Sequence, residues 1–147
     1  VHRKGDGERS LDMDEAIHVS FPGGVRVNAA FKGFEFKTDQ PPSAGGAGSA
    51  PSPFDYFLAS LATCAGYFVA AFCRERRIET EGMVLSMRME RSPETHMIMK
   101  IMIDISLPPG FPEKYKAAVV KAADQCTVKN HMLKPPAFEI TAGIRPA

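Results

Sequence analysis

The sequence predicts an α+β fold in which antiparallel strands accompany one long apolar helix. Three observations support this class: alternating runs before residue 39, a helical apolar stripe after residue 52, and two further alternating runs beyond residue 84. Period-two alternation is typical of half-buried strands, and three-to-four spacing is typical of a buried helix face. At 147 residues the chain can form one domain with a real core, so we expect a single domain over 1–147 with a loose segment at 1–15.

The first three strands are predicted at 16–21, 25–31 and 34–38, because glycine-containing turns separate these short runs. Together they form a small antiparallel meander. Arg26 lies on the opposite face of the second strand from that strand's apolar residues. Residues 39–53, rich in proline, glycine and serine, are predicted to form a surface loop.

The long helix is predicted to begin with Ser52 as its N-cap, Pro53 at its first position and Asp55 in its first turn. It runs for about 22 residues, roughly 33 Å. Its buried stripe consists of Phe54, Phe57, Leu58, Leu61, Ala65, Phe68, Val69 and Phe72. Small residues in the middle of the helix would allow another backbone to pack closely against it.

Two strands joined at residues 92–94 follow, then a second helix that begins near Pro112 and includes Cys126 on its apolar side. A last short strand is predicted at 138–141. The predicted order is therefore βββ-α-ββ-α-β, which is an α+β arrangement with antiparallel sheet.

Composition limits the classes of partner and compartment. The formal net charge of +1 gives no electrostatic reason to expect nucleic acid or a membrane surface as a partner. The sequence contains no run of about 18 apolar residues, so we expect no membrane span. Its first residues are polar, so we expect no signal peptide. Three cysteines without an export signal favour free thiols in a reducing compartment, so a cytoplasmic location is expected.

The cysteines raise the question of chemistry. Cys64 and Cys73 are nine residues apart on one helix, so they point in opposite directions about 13 Å apart and cannot pair. If the apolar stripes of both helices face one core, Cys64 and Cys126 can meet. The pattern alone favours inert core thiols, because free cysteine is often buried. A redox pair, or a metal site using Cys126 and His131, are the alternatives.

The segment that leads to the first cysteine reads Pro53-Phe54-Asp55-Tyr56-Phe57-Leu58-Ala59-Ser60-Leu61-Ala62-Thr63-Cys64. The distal cysteine, Cys126, stands in "ADQCTVKNHM". Both segments, their separation and the order of elements resemble the OsmC/Ohr family of osmotically induced and organic-hydroperoxide-resistance proteins. The resemblance begins near residue 16. It implies an OsmC-like fold, with sheets wrapped around central helices in an intertwined homodimer.

The resemblance also implies a thiol-dependent peroxidase that reduces organic hydroperoxides under oxidative stress. On that analogy Cys64 is the peroxidatic thiol, Cys126 is the resolving thiol and Cys73 is structural. Relatives stabilise the thiolate with an arginine held by an acid, roles for which Arg26 and Asp55 are the candidates. Asp55 lies about 13 Å from Cys64 along a straight helix, so it would act through an arginine or a dimer partner. Its alternative is a helix-stabilising role in the first turn.

Two positions depart from the family pattern. Ohr peroxidases have a glutamate where this chain has Phe54, and Thr127 stands where a proline is common after the distal cysteine.

Apolar residues on the helix would form the walls of a hydroperoxide site; the candidates are Phe57, Leu61 and Phe68. No metal or bound cofactor is expected. The family resemblance suggests an external thiol or dithiol as reductant, such as a lipoyl protein. The alternative hypothesis is a non-catalytic dimeric binding protein that holds a small apolar or redox-active ligand in its interface cleft.

Overall fold

The computed structural model describes residues 16–147, so the predicted loose segment at 1–15 lies outside the described residues. The described chain divides into two compact units, one ending at Phe57 and the other covering Leu58–Ala147. The strands and helices are β1 His18–Gly23, β2 Arg26–Phe31, β3 Phe34–Thr38, α1 Pro53–Glu75, β4 Val84–Arg91, β5 Ile98–Ser106, α2 Lys116–Ala123 and α3 Thr127–Leu133. The predicted α+β class with antiparallel sheets and one long helix is confirmed.

The first unit contains a three-stranded antiparallel sheet in the order β1-β2-β3. Each turn has residues with positive φ: Gly23 (134°) and Gly24 (60°) in the first, Lys32 (51°) and Gly33 (79°) in the second. Tight turns of this kind connect strands without splaying them, and glycine adopts the required conformation without steric cost. The glycine turns therefore explain why the meander was predictable from the sequence.

A buried carboxylate organises the loop that follows the sheet. Asp39 is only 1% exposed, and its oxygens accept hydrogen bonds from the N–H groups of Gln40 (2.8 Å), Ala47 (3.2 Å) and Ser49 (3.0 Å) and from the Ser49 hydroxyl (2.7 Å). These bonds, led by the Ser49 hydroxyl, lower the pKa of Asp39 from 3.8 to about 2. The loop was predicted from its composition, but no role was predicted for Asp39.

The Asp39 interaction predicts acid sensitivity. Because the folded-state pKa is depressed, its stabilising contribution is fully present above about pH 4 and is lost as pH falls towards 2. In Asp39→Asn we expect a lower urea midpoint at pH 7 and a shallower loss of stability between pH 4 and 2. Asp104→Asn, which removes an exposed pair with Arg88, is the control and should change the urea midpoint little. Equal pH slopes for wild type and Asp39→Asn would contradict the assignment.

Helix α1 begins as predicted, with reciprocal capping. The Ser52 hydroxyl accepts the Asp55 N–H at 3.2 Å, while the Asp55 carboxylate accepts the Ser52 N–H and hydroxyl, both at 2.8 Å. These bonds, first that from the Ser52 N–H, lower the pKa of Asp55. This is the arrangement of a capping box, with aspartate in the place of the usual glutamate.

Four residues of α1 are buried at four-residue intervals, Leu61, Ala65, Val69 and Cys73. The first three belong to the predicted stripe, and Cys73 does not. The helix ends where the Ile78 N–H donates to the Cys73 carbonyl at 2.9 Å and Arg77 adopts φ 56°. Among the described residues, α1 alone is long and apolar enough to cross a bilayer by length and composition. The same test is passed by core helices of water-soluble proteins.

Strands β4 and β5 form the predicted antiparallel hairpin in the second unit, but residues 92–97 connect them, a longer connection than the predicted 92–94. The prediction of one helix from Pro112 through Cys126 is wrong. A short 3₁₀ turn at Glu113–Tyr115 precedes α2, the chain leaves the helix after Ala123, and α3 begins at Thr127. Cys126 has non-helical backbone dihedrals (φ −47°, ψ 116°) and accepts the Lys129 N–H, so it is the N-cap of a new helix.

The predicted strand at 138–141 is also wrong for this chain alone. Residues 134–147 contain neither helix nor strand, and Phe138 and Ile140 are 84% and 92% exposed. The alternating pattern is present, but a strand requires a neighbour with which to pair its backbone. No such pairing involves this segment within residues 16–147.

Candidate functional site

The structure brings two of the three free cysteines together within the second unit. Cys64 projects from α1 and Cys126 stands at the start of α3, close enough for each thiol to shift the pKa of the other. Cys64 is half-buried, whereas Cys126 is 2% exposed. Reagents can therefore reach Cys64 more readily than Cys126.

Cys126 is held by the backbone of both helices. Its sulfur lies 3.8 Å from the Leu61 carbonyl oxygen, to which the thiol can donate, and it accepts the Lys129 N–H at 3.4 Å. Burial raises the pKa of Cys126, and the neighbouring Cys64 adds to the rise. The single thiol proton of Cys126 has two acceptors in reach, the Leu61 carbonyl and the Cys64 sulfur. When Cys64 is ionised, donation to the thiolate is the stronger of the two bonds.

The pKa of Cys64 is shifted in the opposite direction from that of Cys126. Burial acts to raise its pKa, but hydrogen bonds from the Val128 N–H, the Cys126 thiol and the N–H and hydroxyl of Thr127 together outweigh burial and lower the pKa. Hydrogen bonds to a charged form favour that form. Cys64 is therefore the thiol of the pair that ionises first, and a thiolate is the nucleophilic form of cysteine.

An apolar pocket of about 490 Å³ opens beside Cys126 in the same unit. Its walls come from α1, β5, α2 and α3 and include Leu61, Ile101, Ile103, Ile105, Val120 and Met132. Lys121, Asp124 and Lys129 also line it, and the last two form an ion pair with each other. This size and this apolar lining suit a small organic molecule.

Of the three residues predicted to form the walls of a hydroperoxide site, one lines the pocket. Leu61 lines the pocket, but Phe68 packs its ring against Tyr67 at 5.2 Å and is not among the lining residues. Phe57 belongs to the first unit, where its ring lies 5.3 Å from that of Phe54. Their predicted contact with substrate stays a prediction.

Arg26 and Asp55, the predicted activating pair, also lie in the first unit. Arg26 is exposed on β2 and its Nε donates to the Gly23 carbonyl at 3.3 Å. Asp55 is engaged with Ser52 in the helix cap described above. Their roles in thiol activation stay predictions.

Cys73 lies apart from the pair, fully buried on α1. Burial raises the pKa of its thiol, and the charge of Arg76 offsets only part of that rise. A neutral buried thiol is a poor nucleophile.

The metal alternative named Cys126 and His131 as its ligands. Within residues 16–147, no group of three or more His, Cys, Asp or Glu side chains could hold a metal ion. His131 instead donates from Nδ1 to the Thr127 carbonyl at 2.8 Å.

Sequence reasoning missed part of the site. Thr127 was noted only as a departure from a family pattern, and the role of Val128 depends on its backbone N–H, for which a sequence has no signal. The isoleucines of β5 alternate along the strand, but nothing in their spacing connected them to the cysteines.

Comparisons with known proteins agree on the fold. A family model described as "OsmC-like protein" matches residues 46–141. No curated protein gives a significant match. A solved structure from Psychrobacter arcticus 273-4, named for the osmotic stress and detoxification response, has a TM-score of 0.66 and 23% identity, covering 78% of this chain and 85% of that one.

Two further solved structures are similar at lower identity. An OsmC-like protein from Mycoplasma pneumoniae has a TM-score of 0.63 and 14% identity, covering 85% of this chain and 91% of its own. An organic hydroperoxide resistance protein, OsmC, from Legionella pneumophila has a TM-score of 0.50 and 19% identity, with coverages of 80% and 88%. At these identities the likeness shows the fold.

Proposed function

The chain belongs to the OsmC-like protein family, and on that premise we propose that it is a thiol-dependent peroxidase that reduces organic hydroperoxides. The family includes proteins named for organic hydroperoxide resistance. The observation that carries the proposal is the contact between Cys64 and Cys126, in which one thiol has a lowered pKa and its neighbour a raised one. Such asymmetry suits a division into attacking and resolving thiols.

In the first half of the cycle the Cys64 thiolate attacks the terminal oxygen of the hydroperoxide. A sulfur–oxygen bond forms, the oxygen–oxygen bond breaks, and the alkoxide takes a proton and leaves as an alcohol. Cys64 becomes a sulfenic acid, oxidised by two electrons. The buried Cys126 thiol then attacks the Cys64 sulfur, forming the disulfide and releasing water.

The reduced state is restored by an external dithiol, for which a lipoyl group is the proposed class. One dithiol sulfur attacks the disulfide, so that a mixed disulfide forms and one protein thiol is released. The second dithiol sulfur then attacks the mixed disulfide and releases the other protein thiol, as the reductant is itself oxidised to a disulfide. Since the sulfur of Cys64 is the more exposed of the two, it is the natural point of attack.

Arg26, held by Asp55, remains the proposed cationic contribution to thiol activation. We also propose a reducing, cytoplasmic compartment, because the mechanism requires free thiols and such a compartment keeps thiols reduced.

Apolar hydroperoxides are the proposed substrates, because the pocket beside Cys126 is walled by aliphatic side chains. Burial of an organic group there is favourable by about 25 cal/mol for each Å² removed from water. Hydrogen peroxide has no such group to bury. We therefore expect organic hydroperoxides to be preferred over hydrogen peroxide.

A homodimer is proposed as the working form. Residues 16–57 bury no apolar side chain fully, while Val19, Phe21 and Phe34 of that sheet are more than half exposed. Exposed apolar surface of this extent on a structured sheet is typical of an interface. A second copy of the chain would cover it, and light scattering should give the mass of two chains.

The proposal is tested by turnover. Purified protein should consume cumene hydroperoxide in the presence of dihydrolipoamide, with a higher kcat/KM than for hydrogen peroxide. Consumption no faster than in dihydrolipoamide alone would contradict the proposal.

The second candidate is a binding protein without turnover, which the aliphatic pocket also favours. It predicts saturable binding of a probe such as cumyl alcohol in calorimetry. It also predicts that both thiols remain open to alkylation after exposure to hydroperoxide, whereas a peroxidase would lose them to a disulfide.

A further inference from the structure

We propose that Asp124 and Lys129 form a clamp that holds Cys126 in place to attack the oxidised sulfur of Cys64, so that both are positioning residues for the resolving step. Their side chains form an ion pair across the break between α2 and α3. The inference rests on the proposed function, because Cys126 is the proposed resolving thiol. It adds to that function two residues that act through Cys126 and not on the hydroperoxide.

Lys129 contacts the chain on both sides of the break. Its backbone N–H donates to the Cys126 sulfur at 3.4 Å, and its ammonium group pairs with the carboxylate of Asp124, which precedes that cysteine. The ion pair therefore closes residues 124–129 into a ring that contains Cys126. Without the pair, this turn depends on backbone bonds such as that from the Asn130 N–H to the Cys126 carbonyl at 3.0 Å.

The sulfur of Cys126 needs such support. Cys126 belongs to neither helix, and its sulfur lies 3.8 Å from the Leu61 carbonyl oxygen, a long separation for a hydrogen bond. Helix α3 has seven residues, which is too few for a helix that is stable on its own. Attack on a sulfenic acid requires the two sulfurs to be correctly oriented, and a small misplacement of a reacting group lowers the rate of attack.

The two charges are placed unfavourably for the helices that carry them. Asp124 is the C-cap of α2 and Lys129 lies in the first turn of α3, whereas helix dipoles favour cations at C-terminal ends and anions at N-terminal ends. Neither charge therefore stabilises its own helix, and the pairing across the break compensates for their placement. A choice of residues that conflicts with local helix preference is expected where those residues serve a site.

The exposure of the pair sets the size of the expected effect. The Lys129 side chain is 34% exposed and lines the apolar pocket, while the Asp124 side chain is 77% exposed. An ion pair that water reaches in this way changes an equilibrium by up to about fivefold. We therefore expect the clamp to change the rate of the resolving step by a similar factor.

The test isolates the resolving step by using diamide as the oxidant in place of a hydroperoxide. The Cys64 thiolate adds to the nitrogen–nitrogen double bond of diamide, which takes up a proton. The Cys126 thiol then attacks the Cys64 sulfur, so that the disulfide forms and the reduced diamide leaves as a hydrazine. The rate of disulfide formation, measured by acid quenching and peptide mass spectrometry, rises with diamide and reaches a plateau that is set by the attack of Cys126.

In Lys129→Met, which retains the backbone N–H and an unbranched side chain, the plateau should fall about fivefold while the slope at low diamide changes little. Asp124→Lys combined with Lys129→Glu restores the pair with its charges reversed and should restore the plateau. Lys121→Met is the matched control. It removes a cation that lines the same pocket and has no ion pair within residues 16–147, so the plateau should not change.

A Lys129→Met plateau equal to that of wild type, or one that the reversed pair does not restore, would overturn the inference. If the reversed pair does not fold, a double-mutant cycle of Asp124→Asn and Lys129→Met decides, because the loss of one shared ion pair makes their effects non-additive.

The clamp and the peroxidase fail separately, because diamide replaces the hydroperoxide. Wild-type protein that forms the disulfide with diamide but consumes no cumene hydroperoxide contradicts the peroxidase alone. Equal plateaus in wild type and Lys129→Met, with normal consumption of cumene hydroperoxide, contradict the clamp alone. Wild-type protein that forms no disulfide with diamide contradicts both.

Discussion

Replacement of Cys64 by serine is expected to lower the consumption of cumene hydroperoxide at least about a thousandfold, to the rate of the dithiol alone. A serine hydroxyl does not ionise near neutral pH and cannot form a sulfenic acid, so no oxygen is transferred. The measurement is the initial rate of hydroperoxide loss at saturating dihydrolipoamide.

Two cysteine variants serve as controls. Cys73→Ala should retain turnover, because Cys73 is fully buried away from the pair and its pKa is raised. Cys126→Ser should consume about one equivalent of hydroperoxide and then slow, because the sulfenic acid has no resolving thiol. Full turnover by Cys64→Ser, or its loss in a folded Cys73→Ala variant, would contradict the assignment of the nucleophile.

Replacement of Gly46 by alanine is expected to destabilise the first unit by about 3 kcal/mol or more. A Cβ atom there would lie 1.9 Å from the Gln40 carbonyl oxygen and 2.7 Å from the Asp39 carboxylate. The first contact is with backbone, so no side-chain rotation relieves it. The loop would have to open, and the Ala47 and Ser49 bonds to Asp39 would be lost.

The loss should appear in hydrogen exchange as faster exchange of the amides of residues 47 and 49, together with a lower urea midpoint. Gly143→Ala is the matched control, because a Cβ atom added there would meet nothing within 4 Å and the φ of Gly143 is not in the left-handed range. Unchanged exchange in Gly46→Ala would show that the loop does not depend on the close approach at Gly46.

Elements with local determinants were predictable from the sequence. The third strand was predicted at the residues where β3 is found, and α1 begins at Pro53 as its capping residues indicated. Glycines with positive φ and the Ser52–Asp55 cap act through neighbouring backbone atoms, so a short window of sequence contains the whole signal.

Elements that depend on remote groups were not predictable. The helix break before Thr127 went unnoticed because apolar spacing continues through Val119, Ala123 and Cys126, all of which are buried. Cysteine is also not among the preferred N-cap residues. The prediction of a terminal strand was wrong for a related reason. The alternation at Phe138 and Ile140 does not reveal whether another strand is available to pair with this segment.

The candidate site also has features that were predictable from the sequence and features that were not. Helical periodicity on two segments was sufficient to suggest that Cys64 and Cys126 could meet. Apart from Cys126, the groups that lower the pKa of Cys64 could not be foreseen, because they are Thr127 and Val128 and their placement depends on α3 beginning at Thr127. The loop carboxylate of Asp39 was missed because its four donors are fixed by the fold of the loop.

The most direct test of the account is the state of the cysteines after one equivalent of cumene hydroperoxide, without reductant. Peptide mass spectrometry should find Cys64 joined to Cys126, with the loss of two hydrogens and with Cys73 still open to alkylation once the protein is unfolded. If Cys64 and Cys126 both remain alkylatable, or if Cys73 forms the bond instead, the two-cysteine mechanism is contradicted.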